Sequence, residues 1–234
     1  MSGMLSRTKS RPGMLERFRV ERKPFTRWKC DNVFSNYAEL SESFPQAIAE
    51  RYPIGKDLCR LRGDDLHAEL NNLPAPWRTL MEYLDGPEFL LEARAFSEQW
   101  VVEKYSEHPK YWIKPQLVVC HPQQVAHRII GPHVDTERTL FVVEVFFPDP
   151  QDRDESGGFD YYDSDRPTRL VDGSVRADES TLRHVDTAPF RHNYGCGFLN
   201  SRDSVHSSGL RNPSKYPRRY LAISGHVKRP LFKR

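Results

Sequence analysis

Gly131-Pro132-His133-Val134-Asp135, together with the apolar run Leu140–Phe147, says more about the architecture of this chain than any other segment. His133 and Asp135 are metal-type ligands two residues apart, and in an extended segment that spacing puts both side chains on one face. The chain holds a second such pair in His184-Val185-Asp186. Taken alone, the first pair also suits a hydrogen-bonded turn, with Gly131-Pro132 supplying the turn chemistry. Residues far downstream distinguish it. His206 lies seventy-one residues after Asp135, and twelve residues later Arg218-Arg219-Tyr220 opens a strand-like run to Val227. Two histidines and one carboxylate on one side of a non-haem Fe(II) leave its other positions open. An arginine on a nearby strand adds a bidentate partner for a carboxylate.

The second pair fails the same test. His192 and His206 lie only six and twenty residues beyond Asp186, too little chain to cross a barrel and return. After His226 little chain remains to supply an arginine-bearing strand. His184 and Asp186 are therefore expected to be surface or loop residues.

Outward from the first pair, the chain divides into a helical part and a strand-rich part. Phe25–Lys29 suggests a short strand, and Asp31 or Ser35 offers a cap for a helix carrying Tyr37, Leu40, Phe44 and Ile48, with Pro45 placed to break it. Leu58–Leu73 is charged and ambiguous. Pro74 and Pro76 introduce a helix over Trp77–Leu84 whose Leu80 and Tyr83 should face a core, and Glu88–Val101 gives another with Phe89, Leu90, Ala93, Phe96 and Trp100 as its stripe. The texture changes after His108-Pro109. Tyr111–Cys120, His127–Ile130, Thr139–Phe147, Gly197–Asn200 and Arg218–Val227 are rich in strand formers, with an irregular strand-and-turn region over Arg166–Arg191. Asp149–Asp165 carries seven acids and only Arg153, which predicts a solvated loop before a strand. Helices first and short strands after predict an α+β protein: a double-stranded β-helix, or jelly roll of the cupin type, with the helical region packed on its major sheet.

Composition bounds the class. The 234 residues, 38% hydrophobic, suffice for one sizeable core. We expect a basic tail over residues 1–24 and one domain over 25–234, helical to 108 and jelly roll over 109–227. Cys30, Cys59, Cys120 and Cys196 are dispersed without a CxxC pair, which suits a reducing cytoplasm and argues against a zinc ribbon. No apolar segment approaches the ~20 residues that span a membrane. Residues 1–28 hold eight Lys/Arg against Glu16 and Glu21, and the basic ends suit an anionic partner as well as a solvated tail. No series of base-stacking aromatics interleaves the basic residues, which argues against a nucleic acid.

Together, HxD, a distant histidine and an arginine on the last strand resemble the Fe(II)/2-oxoglutarate-dependent oxygenases. Gly157-Gly158-Phe159-Asp160-Tyr161-Tyr162 sits where those proteins often carry a glycine pair opening a strand. Asp31-Asn32-Val33-Phe34 through Ser43-Phe44-Pro45 is similar to the first segments of prolyl-hydroxylase-like members, so the resemblance covers roughly residues 25–227. It implies Fe(II) held by His133, Asp135 and His206, 2-oxoglutarate on the metal with its far carboxylate on an arginine, O2 as the oxidant, and hydroxylation of an unactivated C–H bond. Arg218 and Arg219 compete for the cosubstrate, since adjacent strand residues face opposite ways. Family members often show Arg-x-Ser. Here Arg218 pairs with Tyr220, or Arg219 with Leu221 and an inward Ile223, and neither keeps the serine. A small molecule or glycan, anionic in the sense the basic ends suggest, is the expected substrate. A protein side chain, a cupin-type metalloenzyme without 2-oxoglutarate and a basic non-catalytic binding protein are the alternatives.

Overall fold

A computed structural model of the chain describes residues 13–105, 110–164 and 176–232, with backbone only for 99, 100 and 102–105. The His108-Pro109 boundary, the Trp100 side chain, residues 1–12 of the basic tail and residues 166–175 of the irregular region lie outside the described residues. Among the described residues, ten strands form two antiparallel sheets. The larger has the order β1 (Arg19–Glu21), β2 (Arg27–Asp31), β8 (Tyr194–Leu199), β5 (Thr139–Phe146), β10 (Arg218–Val227), β4 (Tyr111–Cys120), β3 (Leu58–Arg62). The smaller has β7 (Leu182–Ala188), β6 (Phe159–Ser164), β9 (His206–Ser208). This is the expected jelly roll.

Side-chain alternation on the major sheet explains why its strands look almost uniformly apolar. One face sends Leu117, Val119, Phe141, Val143, Val145, Leu221 and Ile223 into a core shared with the helices. The other sends Val118, Phe146, Phe198 and Tyr220 against Phe159 and Tyr161 of the minor sheet. A sheet covered on both faces needs no polar alternation.

The helical layer comprises α1 (Tyr37–Glu42), α2 (Gln46–Ala49), α3 (Gly63–Glu69), α4 (Ala75–Asp85) and α5 (Pro87–Tyr105). Pro45 does separate α1 from α2. The expected cap does not form: Asn36 precedes α1 without a side-chain bond. Asp31 instead ends β2, where Arg19 and Arg191 take its carboxylate. In α4 the fully buried side chains are Trp77, Met81 and Leu84, while Leu80 and Tyr83 pack half-buried against the core. In α5, Phe89, Ala93 and Val101 are buried, but Leu90 points outward. The physical reason is a buried stripe running at i, i+4, which leaves Leu90 a hundred degrees off its centre.

Three other expectations shift. The folded body begins before residue 25, because Met14, Leu15 and Phe18 are buried in the core and β1 pairs with β2. His127–Ile130 is no strand; His127 exchanges backbone bonds with Arg211 at 3.0 Å, and the Ile130 carbonyl accepts from the Ser208 amide at 3.1 Å. The acids of 149–165 are not all solvated, since Asp152 pairs with buried Arg211 and Asp160 on β6 accepts from Arg128 at 2.8 Å. The glycine pair opens β6 as expected. Gly157 has φ +78°, and a Cβ on Gly158 would sit 1.8 Å from the Ala188 carbonyl oxygen, so β6 and β7 close only around a bare backbone.

Candidate metal centre and cosubstrate cavity

His133 and His206 are locked together by backbone. The His133 amide donates to the His206 carbonyl at 2.9 Å, and the His206 amide returns a bond at 3.0 Å, so the two rings sit with centroids 4.2 Å apart. Val134, between the ligands, points the opposite way into a small cluster with Tyr162, Ala177 and Val205. That buried valine fixes the face on which His133 and Asp135 project. The ligand atoms of His133, Asp135 and His206 all lie within 4.8 Å of one another, with Asp135 Oδ1 3.6 Å from His133 Nε2 and 3.8 Å from His206 Nε2.

The ring orientation suits a metal. His133 Nδ1 bonds the Gly131 carbonyl and His206 Nδ1 the Ser204 carbonyl, each at 2.9 Å. A carbonyl only accepts, so each Nδ1 carries the proton and each Nε2 presents a lone pair to the shared space. His206 is wedged between Phe159, stacked at 5.0 Å, and Phe198 at 4.2 Å. Burial there, reinforced by His133, depresses its pKa to about 3 and keeps the imidazole neutral. For His133, burial pulls the pKa down but the Asp135 carboxylate outweighs it, and the net shift is upward. For Asp135, burial pushes up, the two histidines outweigh it, and the carboxyl is held below its ordinary value. Two neutral-capable imidazoles and one carboxylate, with the remaining side open, match the donor set of a mononuclear Fe(II) site.

A cavity of about 270 Å³ connects this cluster to the inner face of β10. A larger groove of about 530 Å³ lies outside the barrel against α3 and α4 and holds none of the three ligands. Within the smaller cavity the two arginines part company. Arg218 faces inward, 4% exposed, lying over the Tyr220 ring at 4.4 Å and donating to Glu144 Oε2 at 3.4 Å and the Gly158 carbonyl at 3.2 Å. Its Nε has no hydrogen-bond partner among the described residues. Arg219 faces the helices, donating to the Phe147 and Pro148 carbonyls at 3.0 Å each and covering the Phe44 ring at 5.2 Å. The register with Leu221 and Ile223 is therefore the outer face, buried against the helices, and not the inward one. Tyr220 joins Arg218 on the cavity wall.

His184 and Asp186 lie apart from the cluster, on strand β7 and not in a loop. His184 is half-exposed, and Asp186 binds Arg27 at 3.0 Å and Lys29 at the sheet edge.

Glu144 and Arg60 are among the cavity residues that escaped the sequence reading. Glu144 stands inside the apolar run of β5, and Arg60 inside the ambiguous Leu58–Leu73 segment. A lone acid amid valines was the available signal for the first, and the alternation Leu58-Cys59-Arg60-Leu61-Arg62 for the second.

No protein-family model and no curated protein sequence matches this chain. Solved structures do. The non-haem 2-oxoglutarate-dependent epimerase SnoN of nogalamycin biosynthesis superposes with a TM-score of 0.56 at 15% identity, over 88% of this chain and 80% of that one. The carbocyclase SnoK of the same biosynthesis gives 0.53 at 13% identity, over 86% and 79%. A prolyl 4-hydroxylase from Phytophthora capsici gives 0.53 at 14% identity, over 86% of this chain but only 59% of that protein. The chain thus has the double-stranded β-helix fold of the Fe(II)/2-oxoglutarate-dependent oxygenases. No helix among the described residues is long and apolar enough to cross a membrane.

Proposed function

We propose that the chain is an Fe(II)- and 2-oxoglutarate-dependent dioxygenase that hydroxylates an unactivated C–H bond of a small molecule or glycan. The observation that carries this reading is the convergence of His133, Asp135 and His206 in one cavity whose wall also carries Arg218. Bound there, Fe(II) with 2-oxoglutarate and O2 supplies the oxidising power for C–H chemistry that side chains lack. The chain's own residues do the rest. His133 and His206 present Nε2 lone pairs because their Nδ1 protons are held by carbonyls. Asp135 contributes the one negative charge of the ligand set. Arg218, with Tyr220 beside it, supplies the cation for a far carboxylate. Phe159 and Phe198 keep water from His206 and fix its ring.

The three similar proteins are by name an epimerase, a carbocyclase and a hydroxylase, so the fold alone does not set the oxidative outcome. Arg62, at the exposed edge of the cavity and without an ion pair among the described residues, supports a substrate that carries a negative charge.

A second reading, a metalloenzyme of the same fold without 2-oxoglutarate, is favoured by one observation: the Arg218 guanidinium already meets the carboxylate of Glu144. An anaerobic titration with Fe(II) and 2-oxoglutarate decides between them. Wild type should develop a weak visible metal-to-ligand charge-transfer band, and His133→Ala should lose it. Iron bound by folded wild type without that band overturns the 2-oxoglutarate reading.

A further inference from the structure

The inner wall between the metal ligands and Arg218 holds an acid where a dicarboxylate would have to pass. Glu144 lies on β5 opposite Ala222 of β10, whose small side chain leaves the cavity floor open. Its carboxylate reaches toward Arg218 at 3.4 Å, a long contact for a charged pair. Arg60 on β3 faces the same space from the row of Val118 and Tyr220, and both arginines leave a buried Nε without a hydrogen-bond partner among the described residues. Arg218 is thus the guanidinium in contact with the internal carboxylate, while Arg60 lines the same cavity with donors to spare. Burial pushes the Glu144 carboxyl pKa up, and the fields of Arg218 and Arg60 both oppose that shift. Glu144 therefore has one arginine in contact and a second on the wall of the same cavity.

We propose that Glu144 occupies the anion seat of Arg218 in the cosubstrate-free protein and yields it to the far carboxylate of the incoming dicarboxylate, its own charge passing to Arg60. Glu144 and Arg60 are thus positioning residues that set the affinity for the cosubstrate. The inference rests on the 2-oxoglutarate reading above. It assigns two residues that neither the sequence pattern nor the likeness of fold brings forward.

The test is calorimetric titration of the Mn(II)-loaded protein with 2-oxoglutarate and, separately, with pyruvate, which lacks the far carboxylate. Glu144→Gln should tighten 2-oxoglutarate binding at least about tenfold, because a competing charge is removed from the seat, and should leave pyruvate and Mn(II) affinity unmoved. Arg60→Met should weaken 2-oxoglutarate binding in the wild-type background and lose that effect in Glu144→Gln, since no displaced charge then needs a host. A general disturbance of the cavity would change pyruvate binding equally. Unchanged or weaker 2-oxoglutarate binding by folded Glu144→Gln overturns the exchange while leaving the oxygenase reading intact. Failure of wild type and Glu144→Gln alike to bind 2-oxoglutarate with Mn(II) in place overturns both.

Discussion

The two faces of the major sheet are built from the same strands and do opposite work. On β10, Leu221 and Ile223 face the helices in a dry core, while Tyr220, Ala222, Ser224 and His226 face the cavity beside the candidate metal ligands. On β5, Val143 and Val145 face the helices and Glu144 the cavity. The outer face holds the sheet in place by apolar burial. The inner face tolerates polar groups because the cavity offers them partners: Glu144 for Arg218, and His226 for Ser224 at 2.9 Å. The period of two is what lets one strand serve both faces.

The adjacent arginines put this division of labour to its strongest test. Arg218→Ala should weaken 2-oxoglutarate binding at least about a hundredfold with the fold retained. Arg219→Ala should leave that binding unmoved and lower unfolding free energy by ~1–3 kcal/mol, the size of an effect expected when buried bonds to two carbonyls are lost. Titration calorimetry and urea melts separate the two effects. Equal loss of cosubstrate affinity in both variants would show that the two faces are not functionally distinct.

A smaller effect tests the burial of His206. In metal-free protein its folded pKa of about 3 lies below the ordinary 6.5, so the unfolded chain binds the extra proton first as the pH falls. Stability should therefore decline on acidification from pH 6.5 toward 3, by about 1.4 kcal/mol per pH unit from this group. His133, raised above 6.5 by Asp135, acts in the other sense and only above that pH, where its stabilisation is lost as the pH rises. Urea melts from pH 4 to 8 in chelator should place the optimum near 6.5. A profile flat between 6.5 and 4 would show that His206 is not buried uncharged.

The smallest effect concerns the second HxD pair. His184→Ala should leave Fe(II) affinity unchanged and shift stability by no more than ~0.5 kcal/mol, as for other exposed positions. A tenfold loss of iron affinity would mean that β7 contributes to the metal centre.

Much of the candidate site was legible because its rules are local or depend on spacing. The HxD pair shares a face in any extended segment, and Gly157-Gly158 marks a place where backbones meet. The features that escaped depended on which face of a strand is the inside. In Leu140–Phe147 apolar residues lie on both faces, so no alternation shows whether Glu144 or its neighbours look into the barrel. The same ambiguity left Arg218 and Arg219 open. Leu90 was misplaced for a related reason, since its composition suits a core position and only the angle at which α5 lies on its neighbours turns it outward.

Residue type, spacing and order along the chain were enough to indicate the class of fold, the candidate trio of His133, Asp135 and His206, and an arginine on the last strand. Three-dimensional packing was needed to turn Arg218 toward the cavity, to set Arg219 as a brace for the helical layer, and to bring Glu144 and Arg60 into the space between. Those outcomes depend on the register of β5, β10, β4 and β3 and on what covers each face of the sheet. Strands buried on both sides do not encode that choice in their own pattern.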